Sequence, residues 1–541
     1  MNDSAQGKPD AGDASARNAA LGALSGAKDD WARTSVCERI EVLGRIGDAI
    51  MAVARDWAHT AAREKGIAPD SPLVGEEWLS GPYAIMETVN ALRRTLAGMD
   101  GKAYLRRLAT RRLGSSQTAV RVMPTTIWDR LLMSGITAEV WMKPGVTPDN
   151  LADHAASAYD GSAAGRRGKV ALVLGAGNIA AIAPLDVLHK LFVENQVVIL
   201  KMNPVNDYLT GYLQTALAPL IARDALRIVR GDGAVGAELC THPLVDEIHV
   251  TGSVGTHDAI VWGTGDEAQA RRRAGTPLNP RRITSELGSV SPTIVVPGPW
   301  SRADIRFQAQ HIATQKLHNA GHNRISCQAL IMPRGWDVGP RLLNEVRKIA
   351  SAWTRSAHYP GSDERLARFS RHSGGDGGDD GHRAGLIAEP LGEDGFNARH
   401  EVFAPALGLV EIKAENPQAY LRDAIQYANT RLGGTLGANI LIHPRTLRRI
   451  GKTRFEEILA DFRYGTIAVN GWSALGFLFP TCPWGAFPGH SIGDVGSGIG
   501  TVHNAFMLNE TERVVLTAPW RPFPRSLLGG RATLLPRPPY F

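Results

Sequence analysis

The spacing of apolar residues divides the amino-terminal part of the chain into two regions. In the first, apolar residues recur every three or four positions, which predicts an amphipathic helix: Ile40, Leu43, Ile46, Ile50 and Val53. In the second, residues 118–143 (TAVRVMPTTIWDRLLMSGITAEVWMK), the apolar runs are short or alternate with polar residues. This pattern predicts an extended hairpin or arm.

From residue 168 onward, short apolar runs alternate with helical stretches. The run GKVALVLG predicts a buried strand, residues 183–194 a helix and QVVILK a second strand. Strand, helix and strand in that order indicate a βαβ unit and a parallel sheet. Further strands are predicted at 226–230, 247–251 and 292–296. A helix is predicted at 303–318, with these apolar residues on one face: Ile305, Ala309, Ile312 and Ala313.

The size and composition of the chain indicate a multidomain globular protein. With 541 residues it exceeds what one hydrophobic core usually serves, so we expect at least two domains. Hydrophobic residues make up 43% and charged residues 21%, which is typical of globular proteins. Residues 1–28, rich in Ala, Gly, Ser and Asp, predict a disordered tail. The segment 373–383 predicts a flexible loop, and the Pro- and Arg-rich 518–541 a loose end or an arm on a neighbouring subunit.

Charge and cysteine usage exclude several classes of partner. A net charge of +7 is mild for this length, and no single basic stripe stands out, so we expect no nucleic-acid partner. No apolar stretch is long enough to span a membrane, and the amino terminus lacks the pattern of a secretory signal. The four cysteines (37, 240, 327 and 482) are widely spaced, which predicts neither a disulfide framework nor a metal site. We expect a cytoplasmic location.

Two candidate ligand-binding residues lie at the ends of predicted strands. Gly175-Ala176-Gly177-Asn178 directly follows the first strand; a glycine-rich turn there can bring backbone N–H groups close to an anion, or can be only a tight turn. The amide of Asn178 can donate to a developing oxyanion. Lys201 ends the second strand, where side chains face the ligand crevice of a parallel sheet, although such a lysine is often merely solvated.

Two further candidates carry acid–base or nucleophilic chemistry. Glu286, in SELGSVSPTIVV, precedes a turn of small residues and is a candidate general base, with a plain turn residue as the alternative. Cys327 ends the run HNAGHNRISC. Its thiol could be a nucleophile if Arg324 and His322 lower its pKa, or it could be an inert core residue.

The order and spacing of these segments resemble the aldehyde dehydrogenase superfamily, over residues 35 to about 505. The segments that carry the resemblance are VALVLGAGNIAAIAPLDVLHKLFVENQVVILKMNP, HPLVDEIHVTGSVGTHDAI, SELGSVSPTIVV, EVFAPALGLVEI, YGTIAVNG and GHSIGDVGSGIG. The resemblance implies an α/β fold with two Rossmann-like parallel-sheet domains and a small oligomerisation arm. It places an NAD(P)-binding domain at 29–287 with the arm segment at 118–147, a catalytic domain at 288–500 and a carboxyl-terminal arm and tail at 501–541. It also implies a homodimer or homotetramer.

The resemblance further implies a mechanism and a set of site residues. A cysteine attacks an aldehyde carbonyl, hydride passes to a nicotinamide, and water activated by a glutamate releases the acid. In this chain Asn178 would be the oxyanion donor and Glu286 the base. The residues that would hold the cofactor are Lys201, Gly252, Ser253 and Glu401. NADP is at least as compatible as NAD, because Pro204 stands where many NAD-preferring relatives carry an acidic ribose ligand.

The family's nucleophile position is where this chain departs from the pattern. The family pattern N-x-G-Q-x-C, laid on Asn319 onward, puts Arg324 at the cysteine position, and a guanidinium is no nucleophile. In one interpretation the loop is re-registered and Cys327 attacks, with Arg324 assisting; Cys482 is a weaker candidate thiol. This predicts an NAD(P)-dependent oxidoreductase acting on an aldehyde, or reducing an acyl group in reverse. In the other, Cys327 is a core residue and the fold binds a cofactor or a partner without thioester chemistry.

Overall fold

A computed structural model describes residues 11–353, 355–373, 387–392, 394–413 and 415–521. The strands, in chain order, are β1 Thr110–Arg112, β2 Thr118–Met123, β3 Thr137–Met142, β4 Val170–Leu174, β5 Val197–Lys201, β6 Leu226–Val229, β7 Glu247–Thr251, β8 Arg282–Glu286, β9 Ser291–Val295, β10 Cys327–Arg334, β11 Ile387–Pro390, β12 Ala406–Lys413, β13 Gly437–Leu441, β14 Thr466–Val469, β15 Pro483–Trp484, β16 Gly498–Ile499, β17 Val502–His503 and β18 Thr511–Thr517.

The α-helices, in chain order, are α1 Ala11–Arg33, α2 Val36–Glu64, α3 Val74–Trp78, α4 Ala84–Ala97, α5 Ile127–Leu132, α6 Ile182–Leu188, α7 Thr210–Ala216, α8 Ala218–Ile221, α9 Gly233–Thr241, α10 Val254–Trp262, α11 Gly265–Ala274, α12 Arg302–Leu317, α13 Gly339–Ser351, α14 Ser362–Arg371, α15 Phe396–Arg399, α16 Pro417–Arg431, α17 Pro444–Ile450, α18 Lys452–Ala460 and α19 Ala474–Leu478. Within the described ranges, no helix is both long and apolar enough to cross a membrane.

Two sheets organise the molecule, as the α/β prediction requires. The smaller has the strand order β16-β8-β7-β4-β5-β6, and its strands β4 to β8 are all parallel. The larger has the order β1-β2-β3-β18-β14-β13-β9-β10-β12-β11, with a parallel centre from β14 to β11. The apolar side chains packed between helices and strands form the hydrophobic cores, as expected for parallel sheets, which are usually covered on both faces.

The predicted hairpin at 118–143 becomes part of the larger sheet. Strands β2 and β3 pair antiparallel, and α5 lies between them. β3 also pairs with β18, which in turn pairs in parallel with β14. The hairpin β2–β3 and the strand β18 therefore extend the larger sheet of the same chain, and their backbone groups are hydrogen-bonded within that sheet.

The predicted disordered tail at 1–28 is wrong for residues 11–28, since α1 runs from Ala11 to Arg33. Its Leu21 and Leu24 side chains are completely buried, and the Trp31 indole donates to the Leu191 carbonyl at 3.1 Å. Alanine is the strongest helix former, so an Ala-rich stretch that also carries regularly spaced leucines folds once it has a surface to cover. Residues 1–10 lie outside the described residues, as do most of the predicted loop at 373–383 and the tail beyond 521.

Helix α12 leads the chain into the region of the predicted nucleophile. It begins with a capping box, in which the Ser301 hydroxyl accepts from the Asp304 N–H and the Asp304 carboxylate accepts from the Ser301 N–H. It ends at Leu317, close to the predicted end at 318. The segment 318–326 that follows joins α12 to β10 and carries the site residues described below.

Truncating a buried leucine of α1 tests whether this helix belongs to the core. We expect Leu24→Ala to lower the free energy of unfolding by about 2–5 kcal/mol, because it leaves a cavity where the side chain was fully buried. Urea unfolding measures the change, with the exposed Ser15→Ala as the matched control. Equal free energies of unfolding for the two variants would contradict the packing of α1 in the core and would favour the predicted disordered tail.

Candidate active site

The candidate site lies at the carboxyl ends of the parallel strands of the smaller sheet. The turn at 175–178 follows β4, Lys201 ends β5, Gly252 and Ser253 follow β7, and Glu286 ends β8. The segment 318–326 approaches this edge, since the Asn178 amide donates to the His322 carbonyl at 2.9 Å. Ligand sites in open α/β sheets lie at this edge, so these residues share one cleft.

Arg324 occupies the centre of the site. Its side chain is 8% exposed, and its Nη1 donates to the Asn178 Oδ1 at 3.3 Å. The same Nη1 lies 3.9 Å from the Glu286 Oε1, and its Nε contacts the Gly252 carbonyl at 3.5 Å. The guanidinium therefore lies between the predicted oxyanion donor and the predicted base, where the resemblance places a cysteine.

The backbone before Arg324 explains how it reaches this position. Asn319, Ala320 and Gly321 all have positive φ, and a Cβ on Gly321 would lie 2.7 Å from the backbone of Ala404. A tight turn follows, closed by a hydrogen bond from the Ser326 N–H to the Asn323 carbonyl at 3.0 Å. The chain thus reverses direction between residues 319 and 326, and Arg324 points into the cleft.

The structure places the thiol of Cys327, the predicted nucleophile, in the hydrophobic core, which does not fit that role. It is the first residue of β10, is completely buried, and belongs to a cluster with Val295, Ile305 and Ile312. Burial raises the pKa of Cys327 to about 11. Burial also lowers the pKa of His322 to about 2, so a charged imidazole cannot assist the thiol. The turn at 323–326 separates Arg324 from Cys327, which therefore share no face.

Within the part of the chain that the structure describes, no hydrogen bond or charge interaction joins any of the other three cysteines to Asn178 or Glu286. Cys482 is completely buried in a hydrophobic core, and burial raises its pKa, which does not fit the role of the weaker candidate thiol. Cys240 is buried on α9, and burial raises its pKa to about 12. Cys37 is exposed on α2. With all four thiols of the chain placed, none meets Asn178 and Glu286.

Glu286, the predicted base, is a buried carboxyl group. Its carboxylate is 4% exposed, and its Oε2 accepts a hydrogen bond from the Trp484 indole at 2.9 Å. Burial raises the pKa of Glu286, while the Arg324 charge opposes this shift. A carboxylate whose pKa is raised by burial accepts a proton more readily than a solvated one, which suits a general base.

The amide of Asn178 is engaged within the protein. Its Nδ2 donates to the His322 carbonyl and its Oδ1 accepts from Arg324. Behind it, the Lys65 ammonium donates to the Asn178 carbonyl at 3.1 Å and to the Asn319 Oδ1 at 3.1 Å, and pairs with Glu77 at 2.8 Å. Lys65 could not be predicted from local patterns, because it lies at the end of a helix more than a hundred residues away.

The predicted cofactor residues fit a nicotinamide dinucleotide at two points. The Glu401 Oε1 is buried and has no hydrogen-bond partner among the described residues, so it can accept from a ribose hydroxyl. Burial raises the pKa of Glu401 to about 7. Gly252 and Ser253 open α10, and a helix amino terminus favours an anionic phosphate. Lys201 is buried at the end of β5, and burial lowers its pKa.

Comparisons with solved structures define the fold. An NAD-dependent aldehyde dehydrogenase from Sinorhizobium meliloti is 18% identical, with a TM-score of 0.61 over 94% of this chain and 88% of that one. A mutant of aldehyde dehydrogenase C from Pseudomonas syringae, in complex with NAD+ and octanal, is 19% identical, with a TM-score of 0.61 over 94% of this chain and 90% of that one. The chain thus has the α/β fold of these proteins.

Sequence comparisons name the family. Residues 181–355 match the aldehyde dehydrogenase family. Geranial dehydrogenase from Castellaniella defragrans is 24% identical over 45% of this chain and 49% of that protein. A 3-succinoylsemialdehyde-pyridine dehydrogenase from Pseudomonas is 26% identical over 48% of this chain and 52% of that protein. The chain spans about half the length of these relatives. The family match at residues 181–355 agrees with the predicted resemblance to the aldehyde dehydrogenase superfamily.

The burial of the thiols predicts their reactivity. We expect N-ethylmaleimide to modify Cys37 in the folded protein and to leave Cys327 unmodified, because Cys327 is inaccessible and its pKa is raised. Peptide mass spectrometry after a timed reaction measures this, with labelling in urea as the control in which all four thiols react. Labelling of Cys327 as fast as Cys37 in the folded protein would contradict its placement.

Proposed function

We propose that this chain is an NAD(P)-dependent oxidoreductase that acts on aldehydes without forming a cysteine thioester. The observation that carries the proposal is the Arg324 guanidinium between Asn178 and Glu286, combined with the burial of three thiols elsewhere and the exposed position of the fourth, Cys37, on α2. The superfamily fold and the unpartnered Glu401 oxygen support a bound nicotinamide dinucleotide. Lys201, Gly252, Ser253 and Glu401 would hold it. The cofactor would supply a hydride acceptor.

In this proposal the chain's own residues prepare the aldehyde as its hydrate. Glu286 takes a proton from a water molecule, the water oxygen bonds to the carbonyl carbon, and the carbonyl oxygen becomes negative. Arg324 stabilises this charge, because a fixed cation is most effective where negative charge develops in a dry site. Proton return to that oxygen completes the hydrate, and no protein atom becomes covalently attached.

A second candidate function is binding of a cofactor without turnover. The specific observation in its favour is that both polar atoms of the Asn178 amide already have partners, so this amide is not free to donate to an oxyanion. In that case the cleft would bind NAD(P) and no aldehyde would be oxidised.

Turnover measurements separate the two candidates. NAD(P)H formation from a panel of aldehydes is followed by absorbance, and the first proposal expects a rate that Glu286→Gln lowers by about 10²–10⁴-fold, as for loss of a general base. Arg324→Ala should lower it as well, whereas the buried Cys327→Ala should not. No NAD(P)H formation with any aldehyde, together with measurable cofactor binding, would replace the first proposal with the second. If Arg324→Cys then oxidised an aldehyde that the wild type does not, Arg324 would be identified as the residue that prevents turnover.

Cofactor binding is tested by calorimetry, independently of turnover. We expect Lys201→Ala to weaken binding of NADP+ about ten- to a hundredfold, which corresponds to loss of one hydrogen bond to a charged group. The matched control is Lys169→Ala, an exposed lysine at the opposite, amino end of the same sheet. Equal affinities of the two variants would remove Lys201 from the binding site.

A further inference from the structure

A patch of polar side chains lies on one face of the buried strands β7 and β8. His249 pairs in register with Thr284, and Thr251 with Glu286. Residues in register on neighbouring strands point to the same face, and so do residues two apart on one strand. These four side chains therefore form a two-by-two patch, with Glu286 at the corner nearest the cleft.

Asp186 of α6 covers this patch. The Thr251 hydroxyl donates to the Asp186 Oδ2 at 3.0 Å, and the His249 Nε2 lies 3.5 Å from the same oxygen. The other His249 nitrogen, Nδ1, is hydrogen-bonded to the Thr284 hydroxyl at 2.8 Å. The side chains of Asp186 and His249 are 1% and 2% exposed. The chain thus holds two carboxyl groups, Asp186 and Glu286, in one buried polar region.

The fold alone does not require these polar residues. The neighbouring strand β4 reads VALVL and meets the same kind of surroundings with apolar side chains only. Burying a carboxylate is costly unless it is paired and hydrogen-bonded, and the Asp186 Oδ1 has no partner among the described residues. A residue that costs stability without packing in return is a candidate for function.

The charges around Glu286 come from every element packed against it. Arg324 approaches from the loop before β10, Asp186 from α6 and His249 from β7, and the Trp484 indole donates from β15. Burial raises the pKa of Glu286 most; Arg324 lowers it, the Asp186 charge raises it and His249 lowers it. Among these groups, Asp186 is the one whose negative charge opposes ionisation of Glu286.

We propose that Asp186, held by Thr251 and His249, is a positioning residue that controls whether Glu286 carries a proton. The negative charge of Asp186 opposes a second negative charge on Glu286, and the Thr251 hydroxyl, which donates to Asp186, stabilises the charge that does this. The proposal rests on the proposed function only in giving Glu286 the role of a base. The protonation of Glu286 is a property of the protein itself, with or without turnover.

Infrared titration of the carboxyl groups tests the proposal without substrate or cofactor. The band of the protonated Glu286 carboxyl is identified by its loss in Glu286→Gln, and its intensity is followed against pH. We expect Asp186→Asn to move the titration midpoint of Glu286 down by about one pH unit or more, because the repelling charge is gone. If the wild type oxidises aldehydes, the rising acidic limb of its pH–rate profile should move down by the same amount.

Control variants separate this role from a structural one. Asp304→Asn removes another buried carboxylate, in the other domain, and should leave the Glu286 midpoint unchanged. Thr251→Val should lower the midpoint, because Asp186 loses the donor that stabilises its charge; Thr251→Ser keeps the hydroxyl and should not. If Asp186→Asn fails to fold, the two Thr251 variants carry the test.

An unchanged Glu286 midpoint in Asp186→Asn would overturn the proposal, and so would equal midpoints in Thr251→Val and Thr251→Ser. A wild type that oxidises no aldehyde would defeat the proposed function alone, because the infrared midpoints can still be measured and compared.

Discussion

The contact of the Arg324 guanidinium with Asn178 and Glu286 determines what this cleft can do. A permanently charged group at 8% exposure needs compensation, and Glu286 at 3.9 Å and the side-chain amide oxygen Oδ1 of Asn178 at 3.3 Å supply it. The same contact uses the amide that would stabilise an oxyanion and partly offsets the burial that raises the pKa of the base. The arginine thus replaces a nucleophile and changes the electrostatics of both neighbours.

Distant segments of the fold hold that contact in place. The smaller sheet supplies Asn178 and Glu286 at the ends of two parallel strands, and the segment between α12 and β10 brings Arg324 to them. Lys65, from an amino-terminal helix, fixes the backbone of Asn178 and the side chain of Asn319 together. Because these partners belong to distant parts of the sequence, the site forms only when these segments are folded against one another.

Local patterns predicted the parts of the structure that depend on local rules. The run VALVLGAGN predicted a strand and its turn, and the order of motifs predicted the superfamily fold. The placement of Cys327 could not be predicted this way, because it depends on the positive-φ residues at 319–321 and on the turn at 323–326. The polar patch under α6 could be seen in the sequence only as polar residues, among them His249 and Thr251, in the buried strand β7. Helix α1 was missed because its alanines resemble a low-complexity tail.

Mass spectrometry of the cysteine peptides, sampled during the reaction, tests the central claim, that chemistry in this cleft involves no thiol. The chain is mixed with an aldehyde and NADP+ and quenched in acid at intervals, and each cysteine peptide is examined. The account predicts that all four cysteines stay unmodified at every time, whether or not NADPH forms. An acyl group on Cys327 that appears with the substrate and disappears when it is exhausted would contradict it.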